Sequence, residues 1–248
     1  MKRKICVVGI GPGSAEEMTL RAARALEAAD VIAGYGVYNE LVRPLYPDKE
    51  YIETPMRREA DRCRMAIDAA VSRKTVALIS SGDAGVYGMA GLMLEMTEGM
   101  EDIEVEVVPG VTAALSGGAL LGAPLGHDFA VISLSDALTP WEDIEKRLRL
   151  CAQAGLCMAI YNPASHRRPD YLARACDILL ETLPGGTACG IAAHIARDGE
   201  TARVMTLRQL RDFPADMFTT VFVGNANTRV IGGRLVTPRG YKSKETRE

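Results

Sequence analysis

Short apolar runs alternate along the first half of the chain with longer stretches whose apolar positions recur at helical spacing. Residues 4–10, 31–33, 51–54, 75–80 and 104–108 read as strands, and the run Thr75-Val76-Ala77-Leu78-Ile79 is apolar enough to be a buried one. Residues 15–29, dense in Ala, Leu, Glu and Arg, predict a helix. Ser14 is its expected N-cap, with Glu17 completing a capping box. Further helices are expected over 58–72, over 89–96 and, built from small residues, from Ala113 onward. This alternation predicts a mostly parallel sheet with helices on both faces.

Residues 120–128 break the pattern with glycine and proline and read as a linker. Beyond them the texture changes. Residues 129–134, 157–161, 188–193, 203–206 and 219–223 are strand-like, with helices mainly over 140–154 and 169–182. Closely spaced strands predict a mixed sheet with an antiparallel part. The expected fold class is α/β: an N-terminal domain over 1–119 with a mostly parallel sheet, a C-terminal domain over 129–241 with a mixed sheet, and a cleft between them. The charged tail, 242–248, is expected to be disordered.

Composition narrows the function classes. The chain has 248 residues, 48% hydrophobic and 25% charged, which suits a globular protein, and a net charge of −3, which disfavours general nucleic-acid binding. The start, Met1-Lys2-Arg3-Lys4-Ile5, lacks the apolar core of a signal peptide, and no apolar run is long enough to span a bilayer, so a cytoplasmic protein without a membrane partner is expected. The six cysteines form no CxxC pair and the three histidines lack ligand spacing, so no metal is expected.

Three glycine-bearing turns carry the candidate chemistry, each where a strand ends and a helix follows, the place where open α/β sheets hold small ligands. The first is Gly9-Ile10-Gly11-Pro12-Gly13. It matches a dinucleotide fingerprint only in part: Ser14 stands where glycine is needed, Pro12 removes an amide donor, and the strand ending at Gly34-Tyr35 lacks the ribose-binding acid. An NAD site is therefore disfavoured. The second turn runs from Ser80 through Gly82, Asp83, Gly85, Val86, Tyr87 and Gly88, where Asp83 either accepts hydrogen bonds from a ligand or caps the next helix. The third is Pro109-Gly110-Val111-Thr112-Ala113, leading into a helix whose small residues suit a close neighbour, either a ligand or the sheet itself.

These turns, with Tyr161-Asn162-Pro163 and Val223-Gly224-Asn225, resemble the tetrapyrrole methyltransferase family over nearly the whole chain. Gly126-His127-Asp128-Phe129, Ser133-Leu134-Ser135-Asp136 and Leu138-Thr139-Pro140-Trp141 are similar to the branch acting on carbon 17 of precorrin-3B or its cobalt form. The resemblance implies a two-domain homodimer that uses S-adenosylmethionine, releases S-adenosylhomocysteine, and contracts a corrinoid precursor while methylating it. It places the cofactor in the interdomain cleft, against Pro12, Gly82, Asp83, Val86, Tyr87, Thr112 and Ala113 from the first domain. Asn162, Ala192, Thr219 and Asn225 would close it from the second.

Methyl transfer from a sulfonium mainly needs orientation and a dry site. Contraction moves protons and calls for an acid or base. His127, Asp128, Asp136 and Tyr87 are the candidates; His127 serves equally well as a structural turn residue, and Asp136 as a cap for the helix near Pro140. A substrate with many carboxylates would suit Arg57, Arg58, Arg62, Arg64, Arg167 and Arg168, with His166 beside the last pair, although such runs also serve as solvated helix faces. Two competing readings keep the turns and change the role: a related methyltransferase with another precorrin or uroporphyrinogen III as acceptor, and a nucleotide-binding module without catalysis.

Overall fold

The alternating apolar runs become strands covered on both sides. In the structure, a computed structural model describing residues 3–241, the chain divides between Ala113 and Ala114 into two compact units. The expected tail over 242–248 lies outside the described residues.

The first unit runs β1 (Arg3–Gly9), α1 (Leu20–Ala28), β2 (Val31–Tyr35), α2 (Gly36–Val42), β3 (Glu50–Thr54), α3 (Glu59–Val71), β4 (Val76–Ser80), α4 (Ala90–Met96) and β5 (Ile103–Val108). Its sheet has the order β3-β2-β4-β1-β5 and every pairing is parallel. Successive side chains point to opposite faces of a strand, and β1 feeds two cores accordingly. Ile5 and Val7 pack with Cys63 and Ala66 of α3 and Met93 of α4, whereas Cys6 and Val8 pack with Ala22 and Leu26 of α1. Each such aliphatic side chain contributes roughly 1.5–3 kcal/mol on burial.

The helix expected from residue 15 starts later. Gly11 is left-handed at φ +76°, Met18 N–H closes a turn on Ala15 O, and Thr19 is the N-cap, its side chain accepting from Ala22 N–H at 3.1 Å. Ser14 and Glu17 lie in the preceding turn, outside α1.

The second unit comprises α5 (Ala113–Leu121), β6 (Gly122–Ala123), β7 (Phe129–Ser133), α6 (Trp141–Gln153), β8 (Cys157–Tyr161), α7 (Tyr171–Leu180), β9 (Ala188–Ala193), β10 (Thr201–Thr206), α8 (Leu207–Arg211), β11 (Thr219–Val223), β12 (Arg229–Ile231) and β13 (Arg234–Val236). Its main sheet has the order β10-β9-β11-β8-β7; β7 and β8 pair in parallel and the other pairings are antiparallel. Helices α6, α7 and α8 cover one face through Ile144, Leu148, Leu172, Leu179 and Leu210. The small residues of α5 serve close packing within this unit: a Cβ added at Gly117 would stand 3.0 Å from Ala192 Cβ and 3.1 Å from the Phe222 ring.

The stretch 120–128, expected as a linker, is built into this unit. It holds the end of α5 and then β6, which pairs with Leu235 and Val236 of β13. Thr237 Oγ1 fastens it further by donating to Pro124 O at 2.6 Å. The tripeptide strands β12 and β13 leave too little sequence pattern to be read in advance.

The cysteines are free thiols, and burial pushes Cys63 up to about 11 and Cys176 and Cys189 up to about 12. Only the thiolate is nucleophilic. Iodoacetamide at pH 8 is therefore expected to leave these three unmodified in the native protein and to label all of them after denaturation, as read by peptide mass mapping.

Candidate functional site

The three glycine turns leave the carboxyl ends of β4, β1 and β5, three neighbours in one parallel sheet. They pack on one another backbone to backbone. Gly11 and Gly82 exchange hydrogen bonds, with N···O distances of 3.1 and 2.8 Å, and Ile10 N–H donates to Ser80 O at 3.0 Å. A Cβ at Gly110 would meet Gly82 O at 2.2 Å, and one at Gly9 would meet Gly110 N at 2.7 Å. These glycines let the turns touch each other, a demand that sequence alone does not distinguish from close approach to a ligand.

Asp83 locks the arrangement. Its Oδ1 accepts from Gly85 N–H at 2.8 Å within its own turn, and its Oδ2 accepts from Gly110 N–H at 2.9 Å in the third. It does not cap α4; Met89 occupies that position, and Met89 N–H donates instead to Ser80 Oγ at 3.2 Å. Around this clasp Pro12 and Gly82 are buried, Val86, Thr112 and Ala113 half-buried, and Tyr87 exposed in a left-handed backbone at φ +53°. The structure thus brings together all seven residues expected from the first unit.

The expected arginines have other tasks. Arg58, the N-cap of α3, and Arg64 both pair with Asp61, and the hydrogen bond from Arg58, helped by both charges, holds its carboxyl below the usual carboxylate range. Arg62 is buried: Nε donates to Thr54 Oγ1 at 2.8 Å, Nη2 to Pro55 O at 3.1 Å, and Nη1 approaches Met89 Sδ at 3.6 Å. It ties the end of β3 to the residue that begins α4. Arg57 and Arg58 follow β3, which lies two strands, or about 10 Å, from β4.

In the second unit, strand direction sorts the candidates. The end of β8 lies beside the end of β9 and the start of β11, because β11 runs antiparallel to both. Asn162, Ala192 and Thr219 therefore share one end of the sheet. Asn162 is left-handed at φ +53° and its Nδ2 donates to Ser133 Oγ at 2.9 Å. Tyr161 Oη accepts from Ala114 N–H, at the start of α5, at 2.7 Å.

Asn225 follows the other end of β11, about 20 Å away along the strand. Its Nδ2 donates to Gly155 O at 2.9 Å and its Oδ1 accepts from Asn227 N–H at 2.9 Å in a turn. His127 and Asp128 precede β7 at that same far end, where Asp128 O accepts from Cys157 N–H and His127 Nδ1 accepts from Asp128 N–H at 2.9 Å. The structure separates these three from Asn162, Ala192 and Thr219.

Asp136 lies beyond β7 at the near end and does not cap α6, whose N-cap position is Pro140. Tyr171 Oη donates to it at 2.6 Å and Arg168 Nη1 at 3.2 Å, and these contacts hold its carboxyl below the ordinary range. Arg168 also donates to Ser135 Oγ at 2.8 Å, while Arg167 and His166 are exposed. Trp141 packs against Tyr171 and Arg174.

The near end holds one pair that the sequence gave no reason to join. His194, just past β9, has Nε2 3.3 Å from Oδ2 of Asp216, just before β11. The only available signal was that 188–193 reads as a strand with a histidine directly after it.

The profile of the Tetrapyrrole (Corrin/Porphyrin) Methylases matches residues 4–211. A probable cobalt-factor III C(17)-methyltransferase of Salmonella typhimurium is 47% identical over 238 residues, spanning 96% of this chain and 99% of the relative. A precorrin-3B C(17)-methyltransferase of Sinorhizobium sp is 40% identical over 250 residues, spanning 97% of this chain and 98% of the relative. The crystal structure of the methyltransferase CobJ matches with a TM-score of 0.88 at 38% identity, covering 94% of this chain and 99% of that one. With its glycine turns stacked on a parallel sheet and its relatives matched end to end, the chain belongs to the tetrapyrrole (corrin/porphyrin) methylases.

Proposed function

We propose that this chain methylates carbon 17 of a precorrin-3B-type corrinoid precursor during cobalamin biosynthesis, with S-adenosylmethionine as donor and contraction of the macrocycle accompanying the transfer. The observation that carries this reading is the end-to-end identity, at 47% and 40%, with two relatives that both bear the C(17)-methyltransferase name. The cobalt-bearing acceptor is the first to test, because the relative named for cobalt-factor III is the more similar of the two.

The residues of the first unit fit such a donor. Pro12, Gly82, Asp83, Val86, Tyr87, Thr112 and Ala113 would hold it, where the three turns meet. The donor supplies an electrophilic methyl group on a sulfonium. There Asp83 would set a carboxylate beside the donor, both of its oxygens already accepting from backbone N–H groups. In the second unit Asn162, Ala192 and Thr219 share the sheet end where ligand contacts are proposed; Asn225, His127 and Asp128 are left out by their position. The homodimer that the resemblance implies stands as part of the proposal and is read by sedimentation.

Purified protein incubated with labelled donor and, separately, cobalt-factor III, precorrin-3B and uroporphyrinogen III should add one methyl group to a carbon-17 substrate and none to uroporphyrinogen, as read by mass analysis. Methylation of uroporphyrinogen alone would overturn the reading. Asp83→Ala leaves the partly buried Gly110 N–H without its acceptor, a loss of ~1–3 kcal/mol. The melting temperature should fall and donor affinity should weaken about tenfold or more, a change of ~1.4 kcal/mol. A lower melting temperature with unchanged calorimetric affinity would reduce Asp83 to a fastener of the turns.

A further inference from the structure

We propose that Arg62 is a positioning residue for the methyl donor: it holds the second glycine turn in the shape that receives the donor, and does so against the stability of its own unit. This rests on the functional reading above and adds a residue that acts on the donor through the turn. A buried charge normally has a counter-charge. Arg62 is only 4% exposed, yet it makes no ion pair with a described residue. Burial pushes its pKa down, and the field of Glu59 compensates only in part. It is also the fourth residue of α3, where the helix dipole disfavours a cation.

Neutral groups surround the guanidinium instead. Its Nε donates to Thr54 Oγ1 at 2.8 Å and its Nη2 to Pro55 O at 3.1 Å, while Nη1 faces Met89 Sδ at 3.6 Å. Thr54 is the last residue of β3, and Met89 is the N-cap of α4, where the second turn ends. An apolar side chain of similar length would fill the same place without desolvating a charge. It could not join three segments through one planar group, as a guanidinium does.

The limb of the turn that Arg62 supports is the strained one. Tyr87 is left-handed at φ +53°, a backbone that a bulky side chain resists. At the next residue, a Cβ on Gly88 would stand 2.5 Å from Ala84 O. Such a backbone persists only where its surroundings over-determine it. On one side of Val86 and Tyr87 the Asp83 clasp supplies that restraint. On the other, Met89 N–H donates to Ser80 Oγ at 3.2 Å and Ala90 N–H to Ala84 O at 3.0 Å, with Arg62 set against the Met89 side chain. Val86 and Tyr87, two of the residues proposed to hold the donor, lie between these two restraints.

Thr54→Val combined with Arg62→Met replaces both partners of the buried hydrogen bond by apolar groups of similar shape and leaves the carbonyl of the exposed Pro55 to water. This double variant should melt at or above the wild-type temperature, yet bind S-adenosylhomocysteine about tenfold more weakly by calorimetry. Amide hydrogen exchange over residues 85–89 should quicken in it while exchange in β1 and β4 stays as in the wild type. In turnover, KM for the donor should rise more than kcat falls, because the turn holds the donor alike in the ground and transition states. Arg62→Lys keeps a cation and a hydrogen-bond donor in place and should lose less affinity than Arg62→Met alone. A double variant with wild-type affinity and exchange overturns the assignment, as does one whose melting temperature falls together with its affinity, which would make Arg62 a structural strut. Either result beside a wild type that binds S-adenosylhomocysteine overturns this assignment alone, whereas a wild type that does not bind it overturns the functional reading as well.

Discussion

Everything at the carboxyl end of the first unit's sheet depends on three turns lying closer together than side chains would allow. Gly82 O would be 2.2 Å from a Cβ at Gly110, and Gly82 itself is left-handed at φ +70°. Backbone hydrogen bonds between Gly11 and Gly82 and the two-handed carboxylate of Asp83 hold the stack in register. Because these contacts link turns that follow three adjacent strands, the order β4-β1-β5 is a condition for the site as much as a feature of the fold. The buried Arg62 extends the same logic outward by fixing the residue at which the second turn gives way to α4.

The second unit obeys a different constraint. Its turns are not stacked, and what groups its candidate residues is strand direction. Antiparallel pairing sets the start of β11 beside the ends of β8 and β9, so a residue before β11 meets one after β9 across 22 positions of sequence. The same rule carries Asn225, just beyond β11, to the opposite end. Two segments equally near one strand in sequence are thus divided by its length.

This explains which parts were legible beforehand. Strands β8, β9 and β11 could be read residue by residue because each is a short run of apolar, small or β-branched residues without a charged side chain, bounded by polar or glycine-bearing segments. The α/β class and the mixed second sheet followed from their spacing. The glycine turns were legible as turns, but their partners were not: that Asp83 would reach Gly110 depends on β4 and β5 flanking β1. The start of α1 was misread because Ser14-Ala15-Glu16-Glu17 satisfies a local capping pattern while the turn after Gly11 delays the helix to Leu20. His127 drew attention for its chemistry, and His194 had the same chemistry with no local mark.

Charge poses the last structural question, since a chain of net charge −3 would have to receive a polyacid. Most of the expected arginines already have anionic or neutral partners, yet their bonds are not equally committed. The Arg58–Asp61 and Arg64–Asp61 pairs stand in solvent with more than half of each guanidinium side chain exposed, so water screens them and an incoming carboxylate can exchange with Asp61 at little cost. Arg168 is different. Its side chain is only 17% exposed and holds Ser135, Asp136 and Ser165 together, so withdrawing it would leave a loop unfastened as well as an acid unpaired. The pairs at the start of α3 are therefore free to change partners, whereas Arg168 is committed to fastening its own loop.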